Sequence, residues 1–169
     1  MTEIVRKKLK CHICGTEYWG LVVHSWNERL SGPFPKEKYK LICPTCGAPH
    51  RTKISPSIGI AKDLLMKIIS NPEEAAAILF KYSLTENDVD EWKKVLLEID
   101  YKEWKRHDLE CREKTKNPSE AEVVEFQDNF KKIEQLSQLK EAEKIQEIIE
   151  KVVSLAKEKI REEKEKYSV

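Results

Sequence analysis

The sequence predicts an α+β fold, in which a small N-terminal module of short antiparallel strands precedes an all-α region with a long helical hairpin. Four paired cysteines and most Gly and Pro residues lie before residue 58, among β-favouring stretches such as YWGLVVHSW and KYKLIC. From Ile60 onward the apolar residues follow a helical period. We therefore expect a first domain over residues 1–58 and a helical domain over residues 59–169.

Two Cys-x-x-Cys-Gly motifs, CHICG at residues 11–15 and CPTCG at residues 43–47, dominate the first domain. Two thiolates from one tight turn bind zinc or iron tetrahedrally at ~2.3 Å, and the glycine allows the positive φ of the turn. The alternative is a pair of separate redox dithiols, but neither motif opens a helix in a βαβ unit. The pattern predicts one metal site with the ligands Cys11, Cys14, Cys43 and Cys46.

The segments LKCHICGTEY and CPTCGAPHRTKI resemble the two knuckles of zinc-ribbon and rubredoxin-like proteins, over about residues 9–54. The resemblance implies a zinc ribbon in which zinc is structural. Rubredoxin-like electron transfer with iron is an alternative, although rubredoxins are acidic and this module has the basic lead-in KEKYKLI. Rubrerythrins add a di-iron helix bundle with Glu-x-x-His motifs, whereas the helical region has one histidine, His107, with Glu103 four residues before it.

An HNH-type nuclease is the enzymatic alternative, because such enzymes often frame their site with two Cys-x-x-Cys pairs. His24 in LVVHSWN stands where their general base would lie, with Asn27 and His50 as candidate partners. The sequence has no recognisable ligand pattern for a catalytic Mg²⁺, so we expect a protein that is not an enzyme. His12 and His50 flank the knuckles, where they would donate to sulfur or be solvated.

Charge is distributed unevenly along the chain. Residues 1–62 carry 11 Lys or Arg and 4 Asp or Glu, a net charge of +7, whereas residues 63–169 carry 20 and 26, a net charge of −6. Cations neutralise phosphates and exposed aromatic rings stack on bases, so the basic part is predicted to contact nucleic acid or a nucleoprotein. The residues predicted to make this contact are Arg6, Lys7, Lys8, Lys10, Trp26, Arg29, Lys38, Lys40, Arg51 and Lys53. In the alternative, Trp19, Trp26 and Tyr39 form the small core of the module and the lysines are only solvated.

Short helices are predicted over about residues 60–82, the second of them capped by Asn71 with Pro72 at its first position. A third helix, over about 85–116, begins with Thr85 and Asp88 in a near capping box. Its apolar face comprises Val89, Trp92, Leu96 and Ile99.

A fourth helix is predicted over about residues 119–166, after the helix-breaking Asn117-Pro118-Ser119. Its apolar positions drift around the helix, so we expect a bend or a change of partner near Ser137–Ala142. Beyond it, a regular stripe runs through Ile145, Ile149, Val152, Ala156 and Ile160. The third and fourth helices are expected to form an antiparallel hairpin, with coiled-coil dimerisation through the distal end as the alternative.

These features predict a non-enzymatic zinc-ribbon adaptor or regulator of nucleic-acid machinery, whose helical region holds a protein partner or a second copy. The alternative is a pure protein–protein or inhibitor module with a structural zinc. The chain has no run of 18 apolar residues and no apolar signal-peptide core at its N-terminus, so a cytoplasmic protein without a membrane partner is expected. Its surplus of Lys and Glu resembles proteins of hyperthermophiles.

Overall fold

The computed structural model describes residues 2–25, 36–39 and 41–168, with the backbone alone for residues 2–3, 22–25 and 36–39. It is α+β, as predicted: the described part has three strands followed by six helices. The strands are β1 (Thr2–Lys10), β2 (Glu17–Ser25) and β3 (Lys36–Tyr39). The helices are α1 (Ile58–Ser70), α2 (Pro72–Tyr82), α3 (Glu86–Leu97), α4 (Tyr101–Lys114), α5 (Glu120–Glu141) and α6 (Ile145–Tyr167).

The chain divides into two compact units. The first unit comprises the residues up to Thr52 together with those from Ile160 onward, and the second comprises Lys53–Lys159. The predicted domains, 1–58 and 59–169, assign the last residues of the chain to the helical part. In the structure these residues belong with the strands.

The sheet of the first unit is antiparallel with the strand order β1-β2-β3. Its register pairs Lys8 with Trp19 and Leu9 with Tyr18. Because side chains alternate between the two faces of a strand, Leu9 and Gly20 lie on a buried face, whereas Lys8 and Trp19 lie on an exposed one. Gly20 allows close packing here, because the Leu9 and Leu41 side chains occupy the space that a Cβ at this position would need.

Helices α2 and α3 begin at the predicted caps. Asn71 Oδ1 accepts a hydrogen bond from Glu74 N at 3.2 Å, and Pro72 takes the first helical position of α2. Thr85 and Asp88 form a full capping box at the start of α3. Local side-chain chemistry therefore fixes where α2 and α3 begin.

Replacing Asp88 by Asn is expected to lower the free energy of unfolding by about 1 kcal/mol. Asp88 Oδ2 accepts hydrogen bonds from Leu84 N and Thr85 N, both at 3.0 Å. Burial alone would raise the pKa of Asp88, but these two amides hold it below its ordinary value. The carboxylate therefore contributes stability above its unfolded pKa of about 4, and this contribution is lost as the pH falls through the lower folded pKa.

Urea unfolding followed by helical circular dichroism at pH 7 and at pH 2–3 measures this effect. Exposed Glu91 lies on the same helix and provides the control Glu91→Gln, which should change the stability by less than about 0.5 kcal/mol. If Asp88→Asn and the wild type differ in stability by the same amount at both pH values, the charge of Asp88 is not the source of the stabilisation.

The predicted helix over 85–116 is wrong as one element, since the structure has α3 and α4 in its place. Ile99 and Tyr101 are both buried although only two positions separate them, a spacing that one continuous helix cannot keep on one face. The helix is therefore interrupted: α3 ends at Leu97 and α4 begins at Tyr101. Asp100 Oδ1 caps α4 by accepting a hydrogen bond from Lys102 N at 3.0 Å. All four residues of the apolar face predicted for the third helix are buried, although Ile99 lies beyond the end of α3 at Leu97.

The predicted helix over 119–166 is likewise two helices, α5 and α6. The break falls just after the expected bend, where Glu143 adopts a positive φ of 58°. Lys144 N donates to Leu139 O at 2.9 Å and Glu143 N donates to Lys140 O at 3.0 Å, the pair of bonds that defines a Schellman motif. The helix that packs against α4 in a hairpin is α5.

The second unit has a buried apolar core, and Trp92 is its largest fully buried side chain. The predicted stripe of α6 is buried throughout, and its last residue, Ile160, belongs to the first unit. Lys93–Glu150 and Lys157–Asp90 ion pairs, at 3.6 and 2.7 Å, join α3 to α6. Among the described residues, no helix combines the length and the apolar character needed to cross a bilayer.

Candidate metal centre

The first knuckle forms the tip of the β1–β2 hairpin. Cys11 N donates to Thr16 O at 2.9 Å, and Gly15 N donates to Cys11 O at 3.0 Å. Gly15 has a φ of +76°, which an L side chain rarely adopts. The glycine therefore allows the turn that directs Cys11 and Cys14 to the same side.

The second knuckle repeats this geometry. Cys43 N donates to Ala48 O at 2.9 Å, Gly47 N donates to Cys43 O at 3.0 Å, and Gly47 has a φ of +80°. A short antiparallel bridge between Ile42 and Pro49 closes its base. Both predicted glycine roles are confirmed, and the two turns present matching pairs of thiols.

The four predicted ligands come together. The Sγ atoms of Cys11, Cys14, Cys43 and Cys46 all lie within 4.8 Å of one another, beside the small antiparallel sheet. Cys11 Sγ lies 3.5 Å from Cys46 Sγ, and Cys14 Sγ lies 3.6 Å from Cys43 Sγ. A tetrahedral site with ~2.3 Å metal–sulfur bonds has sulfur–sulfur separations of about 3.8 Å, so the cluster is of the right size for one metal ion.

The chemistry of the donor set also fits a cation. The hydrogen bond with the Thr16 side chain lowers the pKa of Cys14 to about 6. A backbone hydrogen bond from Ala48 lowers the pKa of Cys46, but burial and the three neighbouring cysteines outweigh it and raise the pKa to about 12. Four adjacent thiols cannot all ionise without a compensating charge, and a divalent metal supplies that charge.

His12, between the first two ligands, has neither of the roles predicted for it. Its Nε2 lies 2.7 Å from Glu163 Oε1, and its Nδ1 is buried without a hydrogen-bond partner. It is therefore neither a donor to sulfur nor a solvated side chain. His50 is partly buried, and burial lowers its pKa, which favours the neutral imidazole.

Three of the predicted nucleic-acid contacts share one surface. Arg6, Lys8 and Lys10 are exposed and alternate along β1, so they lie on the same face of the sheet. We call this surface the outer sheet face, and its described members are Ile4, Arg6, Lys8, Lys10, Glu17, Trp19 and Leu21. The apolar members are highly exposed: Ile4 67%, Trp19 59% and Leu21 59%.

Trp19 was expected in the core of the module under the alternative reading of the sequence, and that expectation is wrong. The buried cluster at the knuckles is formed by Cys11, Cys43 and Ala48, against which Ile13, Tyr18, Cys46 and Tyr167 pack. Tyr18 of β2 pairs with Leu9 of β1, and paired residues lie on the same face of the sheet. Since Leu9 is buried, Tyr18 points inward and its neighbour Trp19 points outward. The strict alternation of Lys8, Leu9 and Lys10 was the signal in the sequence that could have shown this.

The other predicted contacts lie elsewhere. Lys7 is exposed at the strand position between Arg6 and Lys8. Arg51 is paired with Glu163, and Lys53 pairs with Asp88 at 3.5 Å within the second unit. Lys38 lies in β3, where the backbone alone is described, and the remaining predicted residues lie outside the described part of the chain: Trp26, Arg29 and Lys40.

The residues considered for a nuclease are only partly described. His24 is known by its backbone in β2, and Asn27 lies outside the described residues. Within residues 4–21 and 41–168, the four cysteines are the only group of three or more His, Cys, Asp or Glu side chains placed to hold a metal ion. The fifth cysteine, Cys111, is exposed on α4, with its Sγ 3.8 Å from His107 Nδ1.

Comparisons with models of protein families, with curated proteins and with solved structures give no match to this chain. The two knuckles and their sheet have the features of a zinc-ribbon-like site. This description depends on the hydrogen bonds within the two turns and on the positions of the four sulfur atoms.

Proposed function

We propose that this protein is a non-enzymatic adaptor in which a structural zinc ion stabilises a sheet surface that contacts single-stranded nucleic acid. Cys11, Cys14, Cys43 and Cys46 would hold the zinc, whose role is to fold the knuckles. The single observation that carries the proposal is the outer sheet face, where an exposed tryptophan lies among three exposed cations. The two kinds of group that bind a nucleic-acid strand are thus side by side.

Trp19 supplies the stacking platform. Arg6 Cζ lies 5.1 Å from the centre of the Trp19 ring, and the ring is still more than half exposed. Unpaired bases can reach such a ring, whereas bases in a duplex are already stacked on one another. This favours a single strand over a duplex, with Leu21 and Ile4 extending the apolar surface.

Arg6, Lys8 and Lys10 supply the positive charge. Alternate residues on a strand are about 6.6–6.8 Å apart, so the three side chains form a row along β1. Lys8 Nζ pairs with Glu17 at 2.9 Å, but both side chains are more than half exposed. An exposed ion pair contributes little stability, so a phosphate can replace the carboxylate at small cost.

The helical unit offers a surface for the protein partner. A cleft of about 320 Å³ combines an apolar floor with three carboxylates, and its lining residues are Ile58, Lys62, Val95, Glu98, Ile99, Asp100, Glu103 and Trp104. A partner segment that places an apolar side chain beside Lys or Arg residues fits this chemistry. This cleft supports the second candidate function, a protein–protein module with a structural zinc.

Fluorescence anisotropy of labelled single-stranded DNA, single-stranded RNA and duplex DNA, titrated with the zinc-loaded full chain, tests the proposal. Trp19→Ala should weaken single-strand binding about 5- to 150-fold, because stacking contributes ~1–3 kcal/mol per base. The triple variant Arg6→Ala/Lys8→Ala/Lys10→Ala should weaken single-strand binding more than Trp19→Ala does. It should also reduce the magnitude of the slope of log K against log salt by about 2.

The matched control is Lys114→Ala/Lys116→Ala/Lys131→Ala, which removes three exposed positive charges from the helical unit. It should leave binding within about twofold of the wild type. Equal losses in the two triple variants would show a non-specific charge effect and contradict the proposal. If no oligonucleotide binds at low salt, the second candidate function is favoured, and Ile58→Asp at the exposed edge of the cleft becomes the variant to test against partners.

A further inference from the structure

A carboxylate near the end of α6 contacts two side chains of the metal-binding segments. Glu163 Oε1 lies 2.7 Å from His12 Nε2 and accepts a hydrogen bond from Arg51 Nη2 at 2.7 Å. Glu163 Oε2 accepts a second bond, from Arg51 Nε, at 2.9 Å. The Arg51 contact is thus bidentate, the geometry that gives carboxylate pairs their strength and direction.

These three side chains are almost completely withdrawn from solvent. The exposed fractions are 5% for His12, 14% for Arg51 and 10% for Glu163. Burial alone would raise the pKa of Glu163, but the hydrogen bonds with His12 and Arg51 hold it below its ordinary value. The charged carboxylate is therefore the form that its surroundings stabilise.

Glu163 reaches both knuckles through these partners. His12 lies between the ligands Cys11 and Cys14, and Arg51 follows the second knuckle on the segment that returns from Cys46. One turn further along α6, Tyr167 packs against the buried cluster of Cys11, Cys43 and Ala48. Two different contacts, one ionic and one apolar, thus place residues 160–168 against the ligand-bearing turns within the first unit.

We propose that residues 160–168 are an integral part of the metal centre and that Glu163 is a positioning residue that sets how tightly the metal is held. Glu163 is not one of the four candidate ligands, and it acts by fixing His12 and Arg51. This inference rests on the metal-binding part of the proposed function. Because linkage is reciprocal, loss of the metal loosens residues 160–168, and any partner that withdraws these residues promotes metal release.

The experiment compares full-length wild-type protein with Glu163→Gln, which preserves the shape of the side chain and removes its charge. Zinc affinity is measured by competition with a chromophoric chelator, and cobalt is used as a spectroscopic probe of the four-thiolate site. Glu163→Gln should weaken zinc binding about 3- to 10-fold, less than is typical when a group bonded directly to a ligand is lost, because Glu163 acts through His12 and Arg51. Its cobalt spectrum should shift, and the amides of residues 11–16 and 43–48 should exchange hydrogen faster.

Glu162→Gln is the matched control, because Glu162 is the exposed neighbour on the same helix. It should stay within about twofold of the wild type in zinc affinity, with an unchanged cobalt spectrum. If the wild type and Glu163→Gln bind zinc with equal affinity and give the same cobalt spectrum, the inference is overturned, while the proposed metal site still stands. A wild type that binds no metal would instead overturn the metal-binding part of the proposed function.

Two further variants keep the test decisive if Glu163→Gln does not yield folded protein. Arg51→Lys retains the positive charge but loses the bidentate contact, and Tyr167→Ala removes the apolar contact with the knuckles. Both variants should bind zinc more weakly than the wild type, as Glu163→Gln should. Zinc affinity unchanged in both variants would overturn the inference.

Discussion

Removing the metal with a chelator, or replacing Cys43 by Ser, is expected to unfold the first unit and to leave most of the helical signal in place. The cluster around Cys11, Cys43 and Ala48 is too small to fold the knuckles by itself, and structural zinc in zinc-finger peptides provides about 10–16 kcal/mol of apparent binding free energy. The second unit keeps its own buried core around Trp92. Only the end of α6, from Ile160, should lose structure together with the strands.

Metal content by mass spectrometry of the native protein and hydrogen exchange resolved by residue measure this outcome. One zinc ion per chain is expected in the wild type and none in Cys43→Ser. Cys111→Ser is the matched control, because Cys111 lies outside the cluster of ligands and is exposed, so its metal content should not change. If α1–α5 lost their protection together with the metal, the two units would form one cooperative structure, contrary to this prediction.

Replacing Trp92 by Ala is expected to destabilise the second unit by about 3–5 kcal/mol, the usual cost of removing a fully buried aromatic side chain. Trp92 is completely buried, and its ring centre lies 5.6 Å from that of Tyr82. Since domains of this size are stable by only about 5–15 kcal/mol, the loss is a large part of the total. The measurement is urea unfolding followed by circular dichroism at 222 nm.

Trp92→Phe should cost clearly less than Trp92→Ala. It keeps an aromatic ring in the core, and it removes an indole N–H that is buried without a hydrogen-bond partner. Trp19→Ala makes the same substitution at an exposed position and should change the unfolding of the helices by less than about 0.5 kcal/mol. Equal losses for Trp92→Ala and Trp19→Ala would show that burial does not determine the cost.

The parts of the fold that depend on local chemistry could be predicted from the sequence. The caps at Asn71 and Thr85 and the glycines after each cysteine pair act within a few residues, so their signals lie in short stretches of sequence. The clustering of the four cysteines was predicted for the same reason. Their spacing fixes the turn, and the turn fixes the direction of the thiols.

The parts that were missed depend on non-local or exceptional geometry. Glycine usually takes the positive-φ position of a Schellman motif, so Glu143 gives no sign in the sequence that a helix ends there. Which face of β2 is exposed depends on its register with β1, and so the sequence left open whether Trp19 is exposed or lies in the core. Glu163 looks like any other acid in the charged segment REEKEKY, and its partners lie 112 and 151 residues earlier.

The distance in sequence between Glu163 and its partners affects the order of events on the ribosome. The cysteines and the strands are synthesised first, but Glu163 and Tyr167 leave the ribosome after all six helices have begun. Contacts between such distant parts of a chain form slowly. The nascent chain therefore presents the four cysteines without the contacts of Glu163 until all the residues between His12 and Glu163 have been synthesised.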